Sequence, residues 1–521
     1  MLKDIAHKIP AYADILHDVL SFSGGMNTRA SEIFFGRDSQ FSLAKDQARL
    51  IVNLVRTQSG LLTTRPGRVK LNASAVAPAA GDAVIRSLFE LRPSNGNDSV
   101  LINAGNGIFK YIAGAFVSQG TVATNNLRTI WAQFQDHAIG INGTDTVVNY
   151  DGTTLTTLAA APVDGSAIAA HRNRVWILRG RTLAYSALGD RTDWTTPNNA
   201  GSLPVPTSRG KGGTGLISLW DRLIVYTQDQ VFQVTGTSPS DFAMSPINLQ
   251  YGHSGSPYAV LAAGNDIYYC NKRGAHALSY TDAASITGDV AYRYASANIE
   301  PTWQSINFGN FTNIVGVHDS IHNMLIFLCN RTGTTNTEAF VADYYHLDSQ
   351  GMPTWSLYSN MPFASAWEVS SLDGSPQVLF GSYDGFVYTQ TNDETDNAVP
   401  IPIQLTYLTD LELPAFSKLW RHLVLFASGQ SSILSGSITF DFGSDPGIPI
   451  TVDLQVAGGD LIGTTFIIGT SALGVPSLKE IRIPVPSHGR FATINMFASS
   501  SHRITIGGFI IYAGVRRTIH H

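Results

Sequence analysis

Cysteine and long apolar runs are scarce in this sequence. Of its 521 residues only two are cysteines, Cys270 and Cys329, and neither belongs to a C-x-x-C pair. This excludes a multiple-disulfide framework and a cysteine-rich zinc site. No apolar run approaches about 18 residues, so the sequence predicts no membrane-spanning helix. Residues 1–20 lack an apolar core and carry Lys3 and Asp4, so we expect no signal peptide.

Charge is also scarce. Charged residues make up 14% of the chain, against roughly 25% in average soluble proteins. The formal net charge is −5, whereas proteins that bind nucleic acid tightly usually carry a basic face. The composition therefore argues against a protein that holds DNA firmly, but it is compatible with one that DNA slides past.

Glycine, by contrast, is abundant, with 48 residues, and aromatic residues make up 10% of the chain. β-Branched and aromatic residues suit the pleated surface of a sheet. Glycine and asparagine suit the tight turns between strands. The composition therefore predicts an all-β protein.

One pattern recurs from about residue 84 onwards: a short apolar strand, a turn of Gly, Asn or Asp, and a second strand rich in Tyr, Phe or Val. The turns are centred near residues 106, 144, 180, 229, 273, 333 and 384. Four-stranded propeller blades recur at about 40–50 residues, and the irregular spacing here indicates degenerate blades with insertions. We predict an irregular six- or seven-bladed β-propeller over residues 84–398.

Prolines at 400, 402 and 414 mark a change of character. Short alternating strands separated by Gly, Pro and Ser follow them, which predicts a C-terminal β-sandwich over residues 399–521. Residues 1–83 precede the repeats. We expect an amphipathic helix, interrupted by Pro10, within residues 1–20 and an extended arm after it.

Several stretches resemble motifs that carry chemistry in other proteins. Ser208–Gly215 (S-R-G-K-G-G-T-G) resembles a phosphate loop, but Lys211 is followed by Gly and then by an expected strand, so we interpret it as a loop between blades. Ser186–Trp194 loosely resembles the Asp-box turn of sialidase propellers, and that box is itself a structural turn. His318 and His322 stand four apart in a segment that alternates like strands, which favours a chance pair over a metal site.

No converging set of acid, base and nucleophile is recognisable. Asp393, Glu394 and Asp396 lie in a polar stretch that we interpret as a solvated linker. We therefore predict no enzymatic activity, no catalytic residue, no metal and no cofactor.

The most specific stretch is the arm. It runs Phe22-Ser23-Gly24-Gly25-Met26-Asn27-Thr28-Arg29 and later reaches Gly60-Leu61-Leu62 and Arg65-Pro66-Gly67. Glycines permit positive φ or close backbone approach, and Pro66-Gly67 predicts a type II turn. The residues that we single out for contact with another protein are Gly24, Gly25, Asn27, Arg29, Asn53, Arg65, Pro66 and Gly67.

This arm resembles the opening of bacteriophage tail proteins. It is similar in particular to the nozzle (tubular B-like, or tail-stabilisation) proteins of short-tailed phages, in which such an arm leads into a distorted β-propeller. Three further stretches fit the resemblance: Tyr185–Trp194, Leu219–Gly236 and Lys418–Trp420. Only the arm has specific spacing.

The resemblance implies a structural virion protein, made in the host cytoplasm and located in the tail. It implies a six-fold ring of identical copies that closes the tail and conducts DNA during ejection without sequence-specific binding. The implied partners are a neighbouring adaptor or portal-side ring and tail fibres or spikes, with the arm as docking segment. Three alternatives stay open: a glycan-binding or glycan-cleaving propeller, a hub or adaptor of a longer phage tail, and a cellular interaction propeller.

Overall fold

Strands dominate the chain. The computed structural model describes residues 14–29, 43–207, 212–219, 221–248, 250–253, 255–280, 290–411, 417–429, 432–441, 447–454 and 478–515. Within them there is one α-helical turn, α1 (Glu300–Trp303), and there are three short 3₁₀ helices, Pro257–Ala259, Ala297–Ile299 and Phe308–Asn313. The all-β prediction is confirmed.

Seven short strands come first. They are β1 (Asp14–Val19), β2 (Gly25–Met26), β3 (Gln47–Ala48), β4 (Leu50–Val52), β5 (Leu54–Arg56), β6 (Leu62–Thr64) and β7 (Arg68–Lys70). The predicted helix over residues 1–20 is wrong for residues 14–19, and residues 1–13 lie outside the described residues. β1 is a strand because it pairs along its whole length with the last strand of the chain, where Leu16 lies opposite Tyr512.

Five antiparallel sheets of four consecutive strands follow. The first two are β8 (Ile85–Leu91), β9 (Ser99–Ala104), β10 (Gly107–Ile112) and β11 (Ala115–Thr121), then β12 (Ile130–Phe134), β13 (His137–Ile141), β14 (Val147–Tyr150) and β15 (Leu155–Leu158). The third is β16 (Ala167–His171), β17 (Arg174–Arg179), β18 (Thr182–Tyr185) and β19 (Gly201–Pro204). The fourth and fifth are β20 (Gly213–Leu219), β21 (Arg222–Thr227), β22 (Val231–Thr235) and β23 (Ala243–Asn248), then β24 (Val260–Ala263), β25 (Asp266–Cys270), β26 (Ala275–Tyr280) and β27 (Val290–Tyr294).

Two further sheets complete a set of seven. The sixth is β28 (Val315–Asp319), β29 (Met324–Cys329), β30 (Glu338–Leu347) and β31 (Pro353–Ser359). The seventh is β32 (Phe363–Val369), β33 (Gln377–Ser382) and β34 (Val387–Gln390), to which β7 adds the fourth strand. The predicted boundary between residues 83 and 84 therefore separates β7 from the sheet that it completes.

The seven sheets form a closed ring. The first strands of successive sheets lie side by side, and β32 of the seventh sheet lies beside β8 of the first. Each pair of neighbouring sheets encloses its own cluster of buried apolar side chains. The chain is thus a seven-bladed β-propeller, within the six or seven blades predicted.

The second strand of a blade shows why the sequence pattern is apolar without alternation. All six residues of β29 (M-L-I-F-L-C) and of β9 are buried, because blades cover both faces of a middle strand. Each of the seven predicted turns lies between the second and third strands of its blade. The recurrence in the sequence therefore marks the same place in every blade.

The C-terminal part is a sandwich, as predicted. Its strands are β35 (Thr395–Asp396), β36 (Val399–Thr409), β37 (Lys418–Gly429), β38 (Ile433–Phe440), β39 (Ile448–Asp453), β40 (Lys479–Gly489), β41 (Ala492–Ser500) and β42 (Ile504–Val515). One sheet runs β39-β38-β41-β36 and the other β40-β37-β42. Apolar residues of both sheets share one buried cluster, which continues between the fifth and sixth blades.

The N-terminal strands join the propeller to the sandwich. β4 pairs with β31 of the sixth blade through Val52 and Leu357, and on its other side it pairs with β36. β6 pairs with β42, and β5 pairs with β6. The arm is therefore extended, as predicted, but it is woven into both parts of the fold.

Candidate functional site

The eight arm residues singled out in the sequence lie largely inside the fold. Asn53 is 0% exposed and Arg65 1% exposed. The exception is Arg29, which is half-buried, whereas the buried ones are Gly24, Gly25, Asn27, Asn53, Arg65, Pro66 and Gly67. A buried side chain cannot contact a neighbouring protein unless the fold opens. These seven residues therefore have a role inside the chain, and docking of the arm to a neighbouring ring stays a prediction.

The first half of the arm packs against the sixth blade. Gly25 has a φ of +65°, and a Cβ there would lie 2.8 Å from Cβ of Thr354. Asn27 donates through Nδ2 to Oε1 of Gln47 at 2.7 Å, which fixes β2 beside β3. The backbone N–H of Arg29 donates to a carbonyl of the 3₁₀ helix after the fifth blade. This segment thus anchors the arm to the propeller.

The second half builds a buried ionic cluster that we call the arm latch: Asn53, Arg65, Arg68 and Asp396. Arg65 donates to both carboxylate oxygens of Asp396, at 2.9 and 2.6 Å. Arg68 donates to the same two oxygens, at 3.1 and 2.5 Å. The Nε of Arg65 donates to Oδ1 of Asn53 at 3.0 Å. Two neighbouring arginines of the arm thereby hold a carboxylate that lies more than 300 positions later in the chain.

The latch also joins the two domains. Asn53 donates through Nδ2 to the hydroxyl of Ser359 in the sixth blade, at 2.7 Å, and to the carbonyl of Pro402 in the sandwich, at 2.6 Å. Arg68 donates to the carbonyl of Asn360 at 2.9 Å. Its guanidinium lies 4.8 Å from the ring centre of Phe363, the first residue of the seventh blade. One cluster therefore ties together the arm, two blades and the sandwich.

Electrostatics favour the charged form of this cluster. Burial by itself would raise the pKa of Asp396, but the hydrogen bond from Arg65 and the charges of Arg68 and Arg65 hold it below its usual value. Burial, aided by the charge of Arg65, lowers the pKa of Arg68 to about 10, so this residue stays protonated at neutral pH. The prediction that Asp396 lies in a solvated linker is wrong, because two arginines from the arm cover it.

Position 67 requires glycine because of a close backbone contact rather than because of the predicted turn. It is not among the residues with positive φ in the described chain, so the predicted type II turn is wrong. A Cβ on Gly67 would instead lie 2.1 Å from the carbonyl oxygen of Thr395. The backbone of the arm runs this close to the start of the sandwich so that Arg65 and Arg68 reach Asp396.

We expect Gly67→Ala to lower the free energy of unfolding by about 1–3 kcal/mol, because the added methyl group overpacks a backbone contact. Gly212→Ala is the control, since the nearest atom to its Cβ would be 3.5 Å away, an ordinary contact. Urea unfolding followed by tryptophan fluorescence measures both. Equal stability of the two variants would contradict the close approach.

A cavity of about 470 Å³ lies on the axis of the propeller. It is lined by the first strands of the second to seventh blades and by Pro257 and Tyr258. Most of the lining is aliphatic, and the polar side chains are Gln133, Ser218, Tyr258, His318 and Glu368. We call this space the axial cavity.

One end of the axial cavity is covered. Tyr258, before the fifth blade, donates its hydroxyl to the carbonyl of Thr129, before the second blade, so its side chain crosses the axis. Arg128 lies with its guanidinium 5.1 Å from the ring centre of Tyr258 and donates to the carbonyl of Ala364 in the seventh blade at 2.8 Å. These two side chains close the end at which the first strands begin.

The other end carries the polar groups. Glu368 accepts from the backbone N–H of Ser320 at 2.6 Å, and its Oε2 lies 4.0 Å from Nδ1 of His318. Nε2 of His318 lies 2.7 Å from the hydroxyl of Tyr344. Burial lowers the pKa of His318 although Glu368 opposes the shift, so the ring is neutral at pH 7. This end of the cavity therefore has a net negative charge.

Where the structure describes them, the remaining sequence motifs do not converge on a second site. His322 bonds Asp319 rather than His318, with Nδ1 2.8 Å from Oδ2. Trp194 packs against the cluster between the second and third blades. Gly213–Leu219 is a strand, as expected, whereas residues 208–211 lie outside the described residues. In the described part of the chain, no group of three His, Cys, Asp or Glu side chains is arranged to hold a metal ion.

No protein-family model and no curated protein matches this chain. Solved structures match it weakly. They include PorZ, a surface component of the type-IX secretion system of Porphyromonas gingivalis (11% identity, 62% of this chain, 37% of that chain, TM-score 0.37). They also include BBS1N in complex with ARL6DN (9% identity, 63% of this chain, 97% of that chain, TM-score 0.40). A third is the C-terminal WD40 domain of Sif2 (11% identity, 58% of this chain, 80% of that chain, TM-score 0.36). The chain thus spans little more than a third of PorZ.

The helices of the described residues are all too short to cross a membrane.

One exposed surface of the sandwich stands out by its composition. The solvent side of strands β36, β38, β39 and β41 presents Ser, Thr, Asn, Gln and Pro around Phe497, which is 52% exposed, and Ile433, which is 60% exposed at the start of β38. Phe497 lies opposite Ser435 on one side and Gln404 on the other. The one charged side chain that these strands present there is Asp453, at a corner. We call this surface the sandwich outer face.

Sequence reasoning found the arm but missed Arg68, Asp396 as its partner, and the axial cavity. Arg68 follows directly on the R-P-G motif, and that position could have suggested it. The cavity leaves no such signal, because its lining comes from six blades spread over residues 130–368. Only closure of the ring brings Glu368 close to Gln133.

Proposed function

We propose that this protein is a structural subunit of a bacteriophage virion, a member of the ring-shaped nozzle of a short tail. In this proposal the copies form a closed ring, and DNA passes through the channel between them during ejection. The neighbouring ring of the tail and the tail fibres or spikes are its partners. One observation carries the proposal: of the arm residues that resemble nozzle proteins, Asn53 and Arg65 build the arm latch, and Gly67 lets the backbone approach the sandwich beside it.

A ring subunit must keep its domains in a fixed orientation while neighbouring rings pull on it. Contacts between domains of one chain are otherwise small enough to permit relative motion. Here strand β4 is shared by both domains. The buried bonds of Arg65 and Arg68 to Asp396 add a polar contact that is lost if the domains separate.

The axial cavity is unsuited to be the DNA channel, because Arg128 and Tyr258 close one end of it. Its volume of about 470 Å³ is that of a small-molecule pocket. A channel for DNA in this protein therefore has to lie between copies.

The sandwich outer face suits contact with a second copy. An exposed aromatic residue without charged neighbours fits an interface centre, where aromatic residues are enriched and charged residues depleted. Each copy carries a formal charge of −5, and like charges across an interface are costly. A face with Phe497 at its centre and one carboxylate at a corner avoids most of that repulsion.

A closed ring needs a second, different surface on each copy. The outer edge of the first blade is a candidate, because β11 has no strand on its far side among the described strands and carries no charged residue. Ile112 and Val117 are 46% and 45% exposed there. Exposed strand edges are usually protected by charge or proline, and this edge lacks both.

The test is the oligomeric state of the purified protein. We expect closed rings in negative-stain images and one large species in sedimentation velocity. Phe497→Glu and Val117→Lys should each weaken ring formation, by about 2 kcal/mol or more per interface if the residue is central to it. Particle images then distinguish a nozzle at the tail tip from a hub or adaptor of a longer tail.

Val163→Glu is the matched control, since Val163 is 43% exposed beside the ion pair of Asp164 and Arg179. It should leave rings intact. A wild-type protein that is monomeric both in solution and in particles overturns the ring proposal, whereas intact rings of Phe497→Glu overturn only the face assigned to it. Deleting residues 1–67 is unsuitable as a test, because it removes strands β1 to β6 from the fold.

A further inference from the structure

The axial cavity has the size and chemistry of a small-molecule site. Ligand pockets typically enclose about 300–1,000 Å³ and combine an apolar wall with a few polar groups that orient the ligand. The 470 Å³ cavity is walled by alanine, valine, isoleucine and leucine side chains, with two tryptophans, Trp131 and Trp367. It is independent of the surfaces proposed for ring contact.

Most polar side chains of the lining are already bonded. The hydroxyl of Ser218 lies 2.9 Å from Nδ1 of His171, Tyr258 donates to Thr129, and His318 bonds Tyr344. A sugar needs many hydrogen-bond partners, and few side chains are left to supply them. This argues for a ligand that is mainly apolar.

Charge decides between the remaining ligand classes. Among the described residues that line the cavity there is no lysine or arginine, and the one carboxylate is Glu368, at the open end. The nearest cation is Arg128, which lies at the covered end and donates to the carbonyl of Ala364. Oε1 of Glu368 accepts from Ser320, whereas Oε2 has the neutral His318 ring at 4.0 Å, beyond hydrogen-bond distance. At the open end a ligand anion would therefore meet uncompensated negative charge, whereas a cation would be paired.

Backbone groups can complete the hydrogen bonds of a cation that carries hydrogens. The first strand of each blade is the edge of its sheet among the described strands, so its axis-facing N–H and carbonyl groups have no strand partner there. An ammonium group offers three N–H donors, which these carbonyls and Glu368 accept.

We propose that the axial cavity binds a primary alkylammonium ion. The ammonium group lies at the open end against Glu368, and the alkyl chain lies along Ala169, Val260 and Val317. Arg128 and Tyr258 limit the depth of the site at its covered end. The ligand class follows from one carboxylate, an aliphatic wall and strand-edge carbonyls in one cavity.

Isothermal titration calorimetry with hexylammonium chloride tests the proposal, with 1-hexanol and sodium hexanoate as neutral and anionic probes of similar shape. We expect hexylammonium to bind at least tenfold more tightly than hexanol and hexanoate not to bind. Glu368→Gln should remove this preference, because glutamine still accepts from Ser320 but has no charge. Ala262→Phe, which fills part of the cavity, should abolish binding of all probes.

Equal affinity of the wild-type protein for hexylammonium and hexanol would overturn the proposal, as would tight binding of hexylammonium to Glu368→Gln. Unchanged binding to a folded Ala262→Phe variant would show that the probe lies elsewhere. Thermal unfolding of each variant in the absence of probe checks that it is folded. Because Glu368 contacts no surface proposed for the ring, ring formation and binding can fail separately.

Discussion

Replacing Asp396 with alanine is expected to lower the free energy of unfolding by about 3–5 kcal/mol. The substitution leaves Arg65 and Arg68 buried, at 1% and 3% exposure, without the carboxylate that both contact. An uncompensated buried charge is far more costly than the loss of a surface ion pair. Urea unfolding at pH 7 measures the change.

The expected loss also has a location. The latch holds the arm between the sixth and seventh blades and the start of the sandwich, so hydrogen exchange should accelerate first in β4 and β36. Asp393→Ala is the matched control, because Asp393 is exposed three residues away and its carboxylate bonds Thr391 on the surface. We expect it to change stability by less than about 0.5 kcal/mol. Similar effects of the two substitutions would contradict the latch.

Acidification is expected to destabilise the protein well above the pH at which carboxylates protonate. Burial lowers the pKa of His253 and of His276 to about 3, and with help from the charge of Arg172 it lowers the pKa of His171 to about 4. The folded protein keeps these three rings neutral, whereas the unfolded chain protonates them below about pH 6.5. Stability is therefore lost as the pH falls from about 6.5 towards 4.

Each of the three histidines contributes a slope of up to about 1.4 kcal/mol per pH unit in that window. The free energy of unfolding at pH 5 should thus be several kcal/mol below its value at pH 7. Urea unfolding at half-unit steps of pH measures the slope. A flat profile between pH 7 and pH 5 would contradict the neutral buried state of these rings.

His253→Phe isolates one of the three contributions. The ring of His253 is fully buried and packs edge-on against Tyr226. Phenylalanine keeps this shape and cannot be protonated. We expect the slope to fall by up to about 1.4 kcal/mol per pH unit.

The blades, six or seven of them, could be predicted because their signal is local. A second strand such as β29 is apolar throughout, since neighbouring blades cover both of its faces, and a polar turn must follow it before the third strand. This order of apolar strand, polar turn and third strand repeats seven times, and it can be recognised without knowledge of distant contacts. The sandwich was predictable for a similar reason, because alternation in strands such as β41 reflects one buried and one solvent-facing side.

The sequence alone also pointed to the arm, but not to what the arm does. A motif such as R-P-G marks a constrained backbone without showing its partner. Asp396 lies 331 positions after Arg65, in a stretch that reads as polar linker. Only the fold brings the two together, by pairing β7 with the seventh blade and β4 with β36.

Local pattern therefore determined the strands, the turns and the division into repeats, because each depends on residues that are neighbours in the chain. Tertiary structure alone decided the conformation of β1: its apolar residues have helical spacing, but the segment is a strand because it pairs with β42. It also decided the burial of the arm latch and the chemistry of the axial cavity. Those features depend on ring closure and on packing between domains, which join residues hundreds of positions apart.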